Sequence, residues 1–82
     1  MKVQVTVAGL LEEYLPEGSD GEMTVEAPAE ATLVAVMQAA GIPESAKPLI
    51  SLNGTVVPRS LHAERTVSDG DAVHFMPNLK GG

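Results

Sequence analysis

Polar and apolar residues alternate with period two across Lys2-Val3-Gln4-Val5-Thr6-Val7, the spacing that puts Val3, Val5 and Val7 on one face of a strand. The alternation stops at Leu10 and resumes at Met23-Thr24-Val25-Glu26-Ala27, with Met23 and Val25 inward. Pro16, Gly18, Ser19, Asp20 and Gly21 lie between, so residues 10–22 read as a wide hairpin loop. Within it Leu10, Leu11, Tyr14 and Leu15 can form one helical turn over the end of the core. The period then changes. Leu33, Val36, Met37 and Ala40 recur at helical spacing, with Thr32 placed to cap the first turn and Glu30 adding negative charge near it. Gly41 and Ile42 supply the stop signal and Pro43 blocks continuation.

Ile50 to Val57 places Asn53-Gly54 between two apolar runs, the signature of a hairpin with a two-residue turn. Residues 59–68 are irregular, with Leu61 and Val67 expected as core pegs and His62 as a surface or turn residue. Asp69-Gly70-Asp71 reads as a turn, and Ala72 to Met76 as a closing strand with Val73 and Phe75 on one face and His74 and Met76 on the other. The order is strand, strand, helix, strand, short strand, closing strand. One helix covers one face of such a sheet. The arrangement that accommodates this order pairs the first and last strands in parallel at the centre. It is an α+β fold of β-grasp type: a mixed sheet of four to five strands with one main helix packed on one face. The domain is expected over residues 1–76 and a tail over residues 77–82.

Composition narrows the functional classes. Cysteine is absent, which removes disulfides, thiolate nucleophiles and sulfur-ligated metals and agrees with a reducing, cytoplasmic setting. The longest apolar run, residues 33–37, is too short to span a bilayer, so no membrane partner is expected. Net charge is −6 and Tyr14 and Phe75 are the only aromatics; nucleic acid is excluded as a partner by the missing basic patch and stacking platform. The charge is uneven. Residues 1–46 hold eight acids and one base, net −7, whereas residues 47–82 hold three acids and four bases, net +1.

No catalytic constellation is present. There is no nucleophile elbow, phosphate-cradling loop or His pair at ligand spacing, and Asp69 and Asp71 suit a turn better than an acid/base pair. What remains is the ending, Phe75-Met76-Pro77-Asn78-Leu79-Lys80-Gly81-Gly82. Ordering such a segment costs about 1–2 kcal/mol per residue with no visible core to offset it, so it reads as an arm that orders inside a partner. Two residues without Cβ atoms can thread a narrow channel and present the Gly82 carboxylate.

With Thr32-Leu33, Asn53-Gly54, residues 67–73 and Gly81-Gly82 in place, the chain resembles the ThiS/MoaD family of ubiquitin-like sulfur carriers. It is closer to the MoaD branch, the small subunit of molybdopterin synthase, through Phe75-x-Pro77 followed by an ending in Gly-Gly. The resemblance implies a carrier protein and not an enzyme. No cofactor is expected on the chain itself. An E1-like adenylating enzyme would use ATP to activate Gly82, a sulfur donor would convert it to a thiocarboxylate, and a synthase subunit would accept the sulfur. Molybdopterin synthesis is the favoured pathway, followed by thiazole for thiamine, cysteine synthesis, or protein modification through the same activated end. In this reading Gly81, Lys80, Leu79, Pro77, Met76, His74 and Phe75 meet the partner or shape the root of the tail. A β-grasp interaction module with an incidental Gly-Gly ending is the alternative of another class.

Overall fold

Val3, Val5 and Val7 are buried on β1 (Lys2–Val7) while its alternate positions face outward, so the period-two pattern places one face of the strand in the core. The computed structural model describes residues 1–15 and 21–77, the Leu10 and Glu12 side chains excepted. β2 (Glu22–Glu26) returns antiparallel beside β1 with Val3 opposite Val25 and Val5 opposite Met23. Between them a 3-10 helix, Gly9–Tyr14, turns Leu11 into the core and packs Leu15 against it. The remainder of the expected loop, residues 16–20, lies outside the described residues.

α1 (Leu33–Ala39) buries Leu33, Val36 and Met37. Its first turn is capped by Thr32, whose Oγ1 accepts the Ala35 N–H at 3.2 Å. The first turn itself contains no acid; Glu30 lies before the cap, in a turn in which the Ala31 N–H bonds to the Pro28 carbonyl. The helix ends in a double closure. Gly41, at φ +87°, donates to the Gln38 carbonyl and Ile42 to that of Met37, which satisfies two terminal acceptors and drives Ile42 into the core.

β3 (Leu49–Leu52) and β4 (Thr55–Val57) form the second hairpin. Asn53 and Gly54 take φ values of 50° and 88°, the left-handed pair that a two-residue turn between twisted strands requires. β5 (Ala72–Met76) closes the sheet in the order β2-β1-β5-β3-β4, parallel to β1 and antiparallel to β3. The expected central pairing of first and last strands is present. One apolar core joins the inner faces of the strands to α1.

The segment after β4 departs from expectation. Leu61, expected as a core peg, is 38% exposed, and His62, expected at the surface, is buried. The cause is a hydrogen-bonding need that hydropathy does not register. His62 Nε2 donates to the Val57 carbonyl at 2.8 Å, a buried acceptor at the end of β4 that leucine cannot serve. Val67 is buried as expected.

Candidate functional site

The tail leaves the sheet at its centre. β5 has β1 on one side and β3 on the other, so Phe75 lies opposite both Val7 and Ile50. Its ring is fully buried, and its carbonyl accepts the Ala8 N–H at 3.0 Å. Phe75 therefore locks the strand one step before the exit. Pro77, half-buried, lies against Gly9: a Cβ on Gly9 would stand 3.1 Å from Pro77 Cγ. Gly9 also takes φ +58°, which side-chain-bearing residues adopt at a cost. Both constraints favour glycine at this point. The close approach sets the direction in which the chain departs from Met76.

Around this root the uncovered face of the sheet is divided. Lys2, Gln4 and Thr6 of β1 pair with Glu26, Thr24 and Glu22 of β2, a polar half in which Thr24 Oγ1 bonds Gln4 Oε1 at 3.4 Å. The other half is apolar. Leu49, opposite Met76, and Val56, opposite Ser51, are exposed large hydrophobic residues. His74 stands between the halves, opposite both Thr6 and Ser51, with Nδ1 at 3.5 Å from Ser51 Oγ. Ser51 is buried, and the pair is a long hydrogen bond across the β3–β5 ladder.

His74 and Met76 thus lie on the open face at the end of the central strand, Phe75 beneath them in the core, and Pro77 follows at the exit. Leu79, Lys80, Gly81 and Gly82 lie outside the described residues. Sequence reading missed Gly9, Leu49 and Val56 as members of the site. For Leu49 and Val56 the outward parity of the second hairpin was an available signal, whereas the Gly9–Pro77 contact has no local trace.

The carboxylates near β5 are engaged structurally. Asp69 Oδ1 accepts the Lys2 N–H at 2.6 Å, and Asp71 accepts from the Ser68 N–H at 2.7 Å and Asn53 Nδ2 at 3.1 Å. They serve the turn that the sequence suggests. Among the described residues no group of three or more His, Cys, Asp or Glu side chains could hold a metal. No helix among them is long and apolar enough to cross a membrane.

Fold and root together define a ubiquitin-like β-grasp protein whose last strand runs from the centre of the sheet into the chain terminus. The ThiS family model matches residues 5–82. The chain belongs to the ThiS family, of the ubiquitin-like sulfur-carrier type. No curated protein matches it significantly. Among solved structures it is similar to the thiamine biosynthesis protein ThiS of Geobacter metallireducens, at 26% identity and TM-score 0.61 over 96% of this chain and 99% of that one. Subunit 1 or 2 of the Helicobacter pylori molybdopterin-converting factor complex matches at 23% identity and TM-score 0.62, with both chains fully covered. Urm1 of Trypanosoma brucei shares the fold at TM-score 0.70 and 17% identity, over 99% of this chain and 95% of that one.

Proposed function

We propose that this chain is a sulfur carrier that works through the carboxylate of Gly82. The observation that carries the reading is a family match that runs to the last residue. In the reaction, a Gly82 carboxylate oxygen attacks the α-phosphorus of ATP held by an E1-like adenylating partner, and pyrophosphate leaves. A sulfur donor at the oxidation level of sulfide then attacks the acyl carbon and AMP leaves, so that one carboxylate oxygen is replaced by sulfur. The resulting thiocarboxylate is a nucleophile that a synthase subunit directs to its bound substrate. Gly81 and Gly82 suit a narrow channel around the reacting carbonyl, and Leu79 and Lys80 supply an apolar and a cationic contact along it. Pro77 and Phe75 aim the tail, and His74 and Met76 lie on the face that the partner meets.

Molybdopterin synthesis is the favoured destination, on the resemblance of the Phe75-Met76-Pro77 ending followed by Gly-Gly to the MoaD branch. Thiazole formation for thiamine is the second reading, favoured by the 26% identity to a thiamine biosynthesis protein. Deletion of Gly82 tests the carrier reading. It is expected to abolish ATP–pyrophosphate exchange with an adenylase that accepts the wild-type chain, and Gly81→Ala to impair it. Full exchange by the deletion variant would refute it.

A further inference from the structure

On the helix side of the sheet, away from the open face, α1 and the 3-10 helices Glu44–Ala46 and Arg59–Leu61 enclose a groove of about 170 Å³. Val34, Met37 and Pro48 give it an apolar floor. This is smaller than the roughly 300–1,000 Å³ of cofactor sites, and it suits a single side chain. Its rim is cationic in a chain of net charge −6. Lys47 and Arg59, two of the five bases, both line it, against one acid, Glu44. Arg59 donates one guanidinium N–H to the Lys47 carbonyl at 3.2 Å, which fixes the group at the rim and leaves most of its five donors available.

The wall supplies a second, independent feature. His62 lines the groove and is 9% exposed. Because Nε2 donates to the Val57 carbonyl, the neutral ring carries its acceptor lone pair on Nδ1. Nδ1 has no partner among the described residues, and no side-chain nitrogen or oxygen there is both sealed from solvent and unbonded. Nδ1 is then the remaining acceptor of a ring that lines the groove. An apolar floor, an acceptor in the wall and two cations at the rim match a peptide, which brings a side chain, a backbone N–H and a carboxylate together.

We propose that this groove docks an acidic peptide segment of the partner that handles the tail. One apolar side chain fills the floor, its neighbouring N–H donates to His62 Nδ1, and an adjacent carboxylate meets Lys47 and Arg59. Lys47 and Pro48 directly precede Leu49, whose register partner is Met76, so the groove is joined through β3 to the strand from which the tail departs. The partner's identity rests on the carrier reading; the chemistry of the groove does not.

The test is a titration of the full-length ¹⁵N-labelled chain with acetyl-Leu-Asp-methylamide, read at backbone amides and at the His62 ring nitrogens. Shifts are expected at Lys47, Arg59, His62 and Ala63, with binding about fivefold weaker for the Asn analogue of the peptide and for Arg59→Glu. Glu44→Gln removes the repelling charge and is expected to tighten binding about twofold, a gain that misfolding cannot mimic. No shift in the groove, equal binding of the Asp and Asn peptides, or the same shifts produced by concentrating the protein alone would overturn the proposal. With an adenylase that accepts the wild-type chain, Arg59→Glu is expected to raise KM for the carrier with kcat unchanged. An unchanged KM there, and an unchanged Kd for the sulfur-accepting subunit, would overturn the partner assignment. Loss of the Gly82 requirement in the same assay would instead count against the carrier reading and leave the peptide titration standing.

Discussion

Where β5 begins, Asn53 holds Ala72 by two hydrogen bonds inside a network that reaches Ser68 and Lys2, whereas at its other end Met76 and Pro77 follow a buried ring, one backbone bond and a shape contact. Asn53 Oδ1 accepts the Ala72 N–H at 2.9 Å while the Asn53 N–H donates to the Ala72 carbonyl at 2.7 Å. Asp71 ties the same Asn53 to Ser68, and Asp69 with Gly70 bonds the backbone of Lys2. Among the described residues, no counterpart of this network surrounds Pro77: there the Ala8–Phe75 bond, the buried Phe75 and the Gly9 cleft set the geometry. The difference assigns two tasks to one strand. Directional hydrogen bonds fix its register at the start. At the end, one backbone bond from Ala8 and the packing of Phe75 and Pro77 fix the exit.

The comparison breaks most severely at Phe75. Phe75→Ala is expected to lower unfolding free energy by about 3–5 kcal/mol through lost burial and the cavity left beside Val7 and Ile50, measured by denaturant unfolding at constant m-value. Asp71→Ala removes two hydrogen bonds to a carboxylate in a partly solvated turn and is expected to cost about 1–3 kcal/mol. Its signature is faster hydrogen exchange at Ala72 than at Ala8, the amide that bonds Phe75. Similar acceleration at both ends would mean that they unfold as one unit. Gly9→Ala is the smallest and sharpest case, at about 1–2 kcal/mol of left-handed strain. Because its new methyl meets Pro77, it should shift Pro77 resonances and slow adenylation while Ala72 exchange stays near wild type.

Much of this architecture is legible in the sequence because local chemistry and global packing agree. Thr32 caps, Gly41 stops the helix, Asn53-Gly54 turns, and the valines of β1 alternate for reasons visible within a few residues. The misses have a shared cause. Leu61 ranks above His62 for burial on hydropathy, but the Val57 carbonyl needs a donor, and only the folded chain shows that the need exists. The Gly9–Pro77 contact and the second bond set of Asn53 join residues remote in sequence, which no periodicity reports. The groove rim is assembled from separate elements in the same way. Of the candidate site, the root from His74 to Pro77 is readable as strand parity ending in proline, and the partition of the open face follows from register.

The central claim is that Gly82 is the reacting terminus. The most direct measurement is the intact mass of the chain purified from its native host without reductant, followed by fragmentation of its C-terminal peptide. The account predicts a population in which one oxygen of Gly82 is replaced by sulfur. A free carboxylate throughout, persisting after incubation with ATP, a sulfur donor and every adenylase of that host, would contradict it.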